Sequence, residues 1–415
     1  MVSPGEGGPR RAGTQAEAPR AAGAARPRTA PASLSGHAYP WDVLGDPNFP
    51  ARVRATGLSS VTLAATYHST RAATPHHPAR RLVDAAHSAL YRPSPDPAAP
   101  RWAGARLRPA APSWTGGDPD PFATAANLLR AEGLAVTAWL VLGHDTRLGT
   151  AHPDLTVVNC YGEHYRYALC PSHGEVRAYA AALAAEALDG VPVDGVSLEG
   201  CGQLGVVHAG THEKTEGAWT AEEARWLSVC CCAACANSWS AHGLRPGSVR
   251  EALRTAVRTG RPPCDDLAAT LLAVRHEATD ALRAGVIAAV RTQAQSAPVT
   301  LHAHPDPWAT GPSPGLTPRA AADVDALLVP VWPVGSASEQ VIAAATDSGT
   351  PVQAYVTTLP PVRPDEVPAH VRRLRAAGAS GLGLYHLGLA PAARLEVLRK
   401  IVREWQQEQA EGTKA

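Results

Sequence analysis

The stretch Val193-Asp194-Gly195-Val196-Ser197-Leu198-Glu199-Gly200 has the pattern of a short strand that is buried on both faces and ends in a carboxylate. Pro192 precedes the apolar residues, and a glycine follows the acid directly, so both ends of the strand are marked. A side chain at the carboxyl end of a parallel strand faces the mouth where barrel enzymes place their chemistry. We therefore predict that Glu199 is the main acid of an active site. The alternative is that Glu199 caps a loop or pairs with an arginine.

Strand-like and helix-like segments alternate along most of the 415 residues. The predicted strands are residues 59–65, 88–91, 135–142, 193–198, 298–302, 324–331, 352–357 and 381–385. Alternation of this kind favours a parallel sheet with helical crossovers. Eight such strands predict an α/β protein with a closed (β/α)8 TIM barrel. Three helix starts are predicted from the S/T-x-x-E spacing, at Ser172, Thr220 and Ser336.

The chain is predicted to carry a tail at each end of the barrel and one insertion within it. Residues 1–36 are rich in Ala, Pro and Arg and poor in large apolar side chains, so they are predicted to be disordered. The barrel is expected to occupy residues 37–410, followed by a tail at 411–415. About a hundred residues separate the fourth and fifth predicted strands, far more than a normal loop. Residues 201–264 are predicted to form a helical, cysteine-containing insertion there, followed by one long helix over 266–293.

Composition argues against several classes of partner. The formal net charge is +1, which is too small for the electrostatic footprint of a nucleic-acid or anionic-membrane binder. The sequence has no apolar run long enough to span a bilayer. Arg10 and Arg11 form a twin arginine, but no apolar segment of a secretory signal follows them. The expected location is the cytoplasm.

Polar and aromatic residues gather where the predicted strands end. The candidates for substrate binding are Tyr67, His68, His144, His302, His304, Trp332, Tyr385 and His386. Aromatic rings stack on the apolar faces of sugars while polar groups bind hydroxyls, so this set suits a carbohydrate. The alternative for each single histidine is a structural role in a loop.

Hydrolysis of a glycosidic bond usually needs a second carboxyl group besides Glu199. The preferred candidates are Asp306, just past the fifth predicted strand, and Asp145, past the third. Glu163, Glu213 and Glu216 compete with them. Asp306 lies between two prolines, and its alternative role is an Asx turn.

Two segments resemble known barrel families. Asp194-Gly195-Val196-Ser197-Leu198-Glu199 resembles the fourth-strand Asp-Gly-x-x-x-Asp segment of the alpha-amylase superfamily, whose final acid is the nucleophile, although Glu and Ser197 stand where amylases have Asp and Arg. Leu169-Cys170-Pro171-Ser172, followed by a helix and this strand, resembles uncharacterised TIM-barrel glycoside-hydrolase-like proteins. Residues 230–235 are similar to a Cys-Phe-Cys-x-x-Cys segment in some of them. The resemblance implies a glycoside hydrolase with Glu199 as the catalytic carboxylate.

The crowded cysteines leave two interpretations open. Cys232 and Cys235 have the spacing of half a zinc site, which Cys230, Cys201, His208 or His212 could complete. The alternative is a set of reduced, buried thiols. No cofactor is otherwise predicted.

Two other functions remain as alternatives to a glycoside hydrolase. His302 and His304 lie on one face of a strand and, with His68, His144 or His386, permit a metal-dependent barrel hydrolase. The third possibility is a carbohydrate-binding barrel without catalysis.

Overall fold

Eight parallel strands form a closed barrel in the computed structural model, which describes residues 33–208, 210, 213–215 and 217–412. The strands are β1 (Leu34–Ala38), β2 (Ser60–Tyr67), β3 (Ala135–Val141), β4 (Gly195–Glu199), β5 (Val299–His302), β6 (Ala326–Pro330), β7 (Val352–Thr357) and β8 (Gly381–Tyr385). Neighbours pair in chain order, and β1 pairs in parallel with both β8 and β2, which closes the sheet. The TIM-barrel prediction is confirmed.

The first barrel strand lies where a disordered tail was predicted. Residues 34–36 belong to β1, so the predicted boundary at residue 36 is wrong, whereas residues 1–32 lie outside the described residues. Leu34 is the only large apolar side chain of this strand, and pairing with β8 and β2 buries all five residues. At the other end, the last helix reaches Gly412, beyond the predicted limit of 410.

The predicted strand at 88–91 is not a barrel strand. Ala89–Leu90 pairs antiparallel with the carboxyl end of β2, on the outside of the closed sheet. Two further hairpins lie outside the barrel, Thr70–Ala73 with Leu82–Ala85 and Thr156–Val158 with His164–Leu169. The prediction failed because a short apolar segment looks the same whether it enters the barrel or covers its rim.

Thirteen α-helices and one 3-10 helix connect or cover the strands in the described part of the chain. The α-helices are Pro40–Leu44, Phe49–Ala55, Pro121–Ala131, Thr146–Ala151, Gly174–Leu188, Ala221–Leu227, Ala233–Ala241, Pro246–Thr259, Asp265–Gln293, Ala320–Asp323, Ser336–Thr346, Val367–Ala376 and Ala392–Gly412, and the 3-10 helix is Pro153–Leu155. Asp265–Gln293, called the long helix below, matches its prediction and packs on Gly174–Leu188. No helix in the described ranges has the length and apolarity needed to cross a membrane.

Only one of the three predicted helix starts has the predicted cap. Thr220 and Glu223 form a reciprocal capping box. The helix near Ser172 has His173 as its N-cap, and the Ser172 hydroxyl instead lies 3.1 Å from Cys235 Sγ. The helix at Ser336 begins one residue early, because its N-cap Gly335 has a φ of 145°, a conformation that favours glycine.

The insertion between β4 and β5 packs on a core of its own. Its buried residues include Trp226, Trp239 and Leu253, and they cluster with Val157 and Cys170 of the β3–β4 segment. The insertion therefore rests on the hairpin after β3, beside the carboxyl ends of the strands.

Candidate active site

Glu199 is the last residue of β4 and lies almost completely inside the barrel, with 5% of its surface exposed. Gly200 follows with a φ of 62°, which lets the chain turn away directly after the acid. Trp139 Nε1–H of β3 donates a hydrogen bond of 2.8 Å to Glu199 Oε2. Burial raises the pKa of Glu199 to about 8, and the Trp139 hydrogen bond opposes this in part. The carboxyl group is therefore protonated at neutral pH, and no arginine of the described residues pairs with it.

His302 of β5 lies beside Glu199, but its neutral ring carries no charge that would stabilise the ionised carboxylate. Its Nδ1 lies 3.6 Å from Glu199 Oε2, and its Nε2 lies 3.0 Å from Ser197 Oγ. Its ring is parallel to that of Trp139, with ring centroids 6.4 Å apart. Complete burial lowers the pKa of His302 to about 3, so the ring is neutral. His302 therefore places a neutral ring nitrogen without a hydrogen-bond partner beside Glu199.

Aromatic side chains form the wall around this acid. Tyr39 Oη lies 3.4 Å from Tyr385 Oη, and the Tyr67 ring meets those of Tyr39 and Trp139 edge to face at 4.9 and 4.8 Å. Burial raises the pKa of all three tyrosines, so they present neutral hydroxyl groups. Tyr355 of β7 completes the wall between His302 and Trp332.

Three residues of this wall, His37, Tyr39 and Trp139, were not among the predicted site residues. His37 of β1 packs its ring 4.8 Å from Trp139, and neither of its ring nitrogens has a hydrogen-bond partner. His37 lies in β1 and Tyr39 directly follows it, but residues 34–36 were predicted as tail, so no barrel strand was predicted at this position. Trp139 could have been found, because positions 137, 139 and 141 of a strand share one face.

A row of histidines runs along the rim from β2 to the insertion. The ring centroids of His68 and His144 are 4.6 Å apart, and His144 Nε2 lies 2.8 Å from His208 Nε2. His208 stacks on Tyr167 at 3.8 Å, and its Nδ1 lies 3.5 Å from Glu213. Burial, followed by the two neighbouring histidines, lowers the pKa of His144 to about 2. His208 was predicted only as a possible zinc ligand, and tertiary folding brings it to the rim instead.

The residues predicted after β6 and β8 have different surroundings. Trp332 is 38% exposed, with its ring 5.1 Å from Tyr385, and is available for stacking. His386 is fully buried, and its Nδ1 accepts hydrogen bonds from Gly388 N and Leu389 N. His386 therefore supports its loop and does not face an open mouth.

The two candidates for the second carboxylate both bind backbone amides. Asp145 is buried and is the N-cap of Thr146–Ala151, where it accepts a hydrogen bond from Leu148 N, and burial raises its pKa to about 6. Asp306 Oδ1 accepts from Trp308 N, which is the Asx-turn alternative. Its side chain is 40% exposed, and Asp306 Oδ2 lies 3.4 Å from Arg225. Asp306 is thus the more accessible of these two acids.

His304 and two of the competing acids, Glu163 and Glu216, remain to be placed. His304 Nδ1 accepts a hydrogen bond from Asp306 N at 3.1 Å. Glu163 binds Asn159 within the hairpin after β3. Glu216 lies outside the described residues.

Four buried thiols gather beneath the insertion. The Sγ atoms of Cys170, Cys230, Cys232 and Cys235 all lie within 4.8 Å of one another. Cys201 is not in this group, His208 lies at the rim, and His212 falls outside the described residues. Among the described residues this is the only group of three or more His, Cys, Asp or Glu side chains arranged to hold a metal ion. The strand-end histidines of the described residues do not form such a group.

Fold and site together define a TIM barrel whose mouth holds a neutral buried carboxyl group among aromatic hydroxyls. Its fold is similar to that of the PgaB (BpsB) glycoside hydrolase domain from Bordetella bronchiseptica, at 16% identity and a TM-score of 0.57, over 90% of this chain and 99% of that one. It is also similar to alpha-L-fucosidase isoenzyme 2 from Paenibacillus thiaminolyticus, at 14% identity and a TM-score of 0.55, over 91% of this chain and 50% of that one. The catalytic domain of beta-amylase from Paenibacillus polymyxa matches at 12% identity and a TM-score of 0.53, over 90% of this chain and 98% of that one.

No protein-family model and no curated protein matches the sequence. At these low identities the structural likeness establishes a shared barrel fold.

Proposed function

We propose that this protein is a glycoside hydrolase in which Glu199 is the general acid. The observation that carries the proposal is the burial of Glu199 at the end of β4, where the Trp139 hydrogen bond fixes the orientation of its carboxyl group. This burial raises the pKa of Glu199 to about 8 and favours its protonated form. A carboxyl group with a raised pKa is suited to protonate the oxygen of a leaving sugar. The similarity of fold to glycoside hydrolases supports the same class of reaction.

In the proposed reaction Glu199 gives its proton to the glycosidic oxygen while the bond from that oxygen to the anomeric carbon breaks. Asp306, the more exposed of the two second-carboxylate candidates, takes a proton from the attacking water. Hydroxyl groups of Tyr67 and Tyr385, and the rings of His68 and His144, bind sugar hydroxyls near the acid. The substrate class is a carbohydrate.

The rate of this reaction should depend on pH in a defined direction. Because Glu199 acts in its protonated form, kcat should be highest below its pKa and fall about tenfold per pH unit above about 8. The measurement is a screen of chromogenic glycosides, followed by a pH profile of kcat on any substrate found. An activity that instead rises through pH 8 would exclude Glu199 as the acid.

Trp332 should contribute to sugar binding and not to bond cleavage. Trp332→Ala removes a half-exposed ring beside Tyr385, so KM should rise about tenfold, equivalent to about 1.4 kcal/mol, with kcat little changed. Tyr161→Ala is the matched control, because Tyr161 is similarly exposed but contacts Arg254 of the insertion. Equal KM values for Trp332→Ala and the wild type would remove Trp332 from the binding site.

A carbohydrate-binding barrel without catalysis is the second candidate. It is favoured by one observation: Asp145 and Asp306 both bind backbone amides, as expected for structural acids. Isothermal titration with the same glycosides separates the two functions, since saturable binding without product would support this candidate.

A further inference from the structure

The geometry of the four buried cysteines fits a tetrahedron around one metal ion. Cys170 Sγ lies 3.7 Å from both Cys232 Sγ and Cys235 Sγ. Zinc binds thiolates at about 2.3 Å, so the edge of a regular tetrahedron of four cysteine sulfur atoms measures about 3.8 Å. The same separation is far longer than the roughly 2.05 Å of a disulfide bond. The four sulfur atoms are thus close enough to share one ion, and none of them forms a disulfide bond.

Two chain segments supply these ligands. Cys170 directly follows the strand His164–Leu169 in the β3–β4 segment. Cys230 and Cys232 precede the helix Ala233–Ala241, and Cys235 lies in its first turn. The arrangement Cys-x-Cys-x-x-Cys therefore provides three ligands from one loop, and the fourth comes from about sixty residues earlier.

Polar groups around the sulfur atoms match a metal–thiolate centre. Val158 N–H points to Cys230 Sγ at 3.4 Å, and Ser172 Oγ lies 3.1 Å from Cys235 Sγ. Donors of this kind stabilise sulfur that carries negative charge. Arg275 lines the same cavity as Cys230 and Cys235, is buried, and has an Nη1 atom without a hydrogen-bond partner. Its positive charge suits a zinc ion with four thiolates, which carries two net negative charges.

We propose that Cys170, Cys230, Cys232 and Cys235 bind one structural zinc ion. Four protein ligands leave no open position for water or substrate, so this centre is structural and not catalytic. It ties the insertion to the β3–β4 segment. Because Ser228, just before Cys230, accepts a hydrogen bond from Val206 N, the centre also supports the irregular segment that brings His208 to the barrel rim.

The test is metal analysis of the full-length protein purified without chelator or metal-affinity tag. The wild type should contain about one zinc per chain, and Cys232→Ser should retain less than a tenth of that amount. Cys231→Ser is the matched control, because Cys231 is equally buried and adjacent but lies outside the ligand group, and it should keep its zinc. Replacement of zinc by Co²⁺ should produce the absorption bands of tetrahedral thiolate coordination in the wild type and in Cys231→Ser.

A measurement on the folded wild type keeps the test valid if Cys232→Ser does not fold. Titration with a mercurial reagent should release one zinc per chain as thiols are blocked. Cys232→His, which restores a zinc ligand, should recover metal binding. The proposal is overturned by wild-type protein without metal, by a disulfide among the four cysteines in mass spectrometry, by iron in place of zinc, or by unchanged zinc in folded Cys232→Ser.

Discussion

Glu199→Gln should lower kcat by about 10²- to 10⁴-fold, the usual contribution of a positioned general acid. Glutamine keeps the size of the side chain, and its Oε1 can accept the hydrogen bond from Trp139 Nε1–H, so the barrel should fold as before. What the variant lacks is the transferable proton. The measurement is kcat on the glycoside found in the screen, with near-ultraviolet circular dichroism as the check on folding.

A second glutamate-to-glutamine change separates loss of this proton from a general effect of replacing a glutamate. Glu163→Gln alters an acid in the hairpin after β3, where Glu163 Oε2 accepts a hydrogen bond from Asn159 Nδ2, and it should leave kcat unchanged. If Glu199→Gln keeps more than a tenth of the wild-type kcat while Glu163→Gln also stays active, the acid lies elsewhere and the proposed mechanism is wrong.

Arg283→Met should destabilise the protein by about 3–5 kcal/mol, because it leaves buried or half-buried carboxylates without their partner. Arg283 lies on the long helix and is 1% exposed, with Nη2 at 2.6 Å from Asp280 and 2.7 Å from Asp323. Asp280 also accepts a hydrogen bond from Thr317 of the loop after β5. This network joins the long helix to the loop that carries Asp306. The free energy of unfolding in urea provides the measurement.

The control for this variant is an arginine in an exposed ion pair. Arg363 is 69% exposed beside Asp365, and solvent screens an ion pair of this kind, so Arg363→Met should leave the free energy of unfolding almost unchanged. Similar losses of unfolding free energy in the two variants would show that the buried ion pairs of Arg283 stabilise the protein no more than an exposed pair does.

Much of the barrel was predictable because buried parallel strands have a local signature. Seven of the eight predicted segments are barrel strands, and each combines an apolar run with a turn signal at its end. Leu34–Ala38 has no such signature, since one leucine among small and polar residues does not distinguish a strand from a tail. Only the gap between β8 and β2 requires that segment to pair.

The functional residues, like the strands, divide into those that a local sequence pattern predicts and those that only tertiary contacts bring together. Glu199 and the aromatic residues at strand ends could be found because the carboxyl ends of parallel barrel strands meet at one rim. The fourth cysteine of the group around Cys232 could not be identified from the sequence, since Cys170 lies 62 residues away along the chain. His37, Tyr39 and His208 were missed as site residues for a similar reason.

Strand periodicity and chain order are local properties, and they were enough to predict the closed parallel barrel and the position of Glu199 at the end of its fourth strand. The protonated state of this acid depends on the folded chain, since the burial that raises its pKa comes from residues on other strands, Trp139 among them, 60 residues away. Only folding brings the four thiols together, because Cys170 and Cys232 are 62 residues apart along the chain. Burial and clustering of this kind depend on contacts between distant residues, which no local sequence pattern encodes.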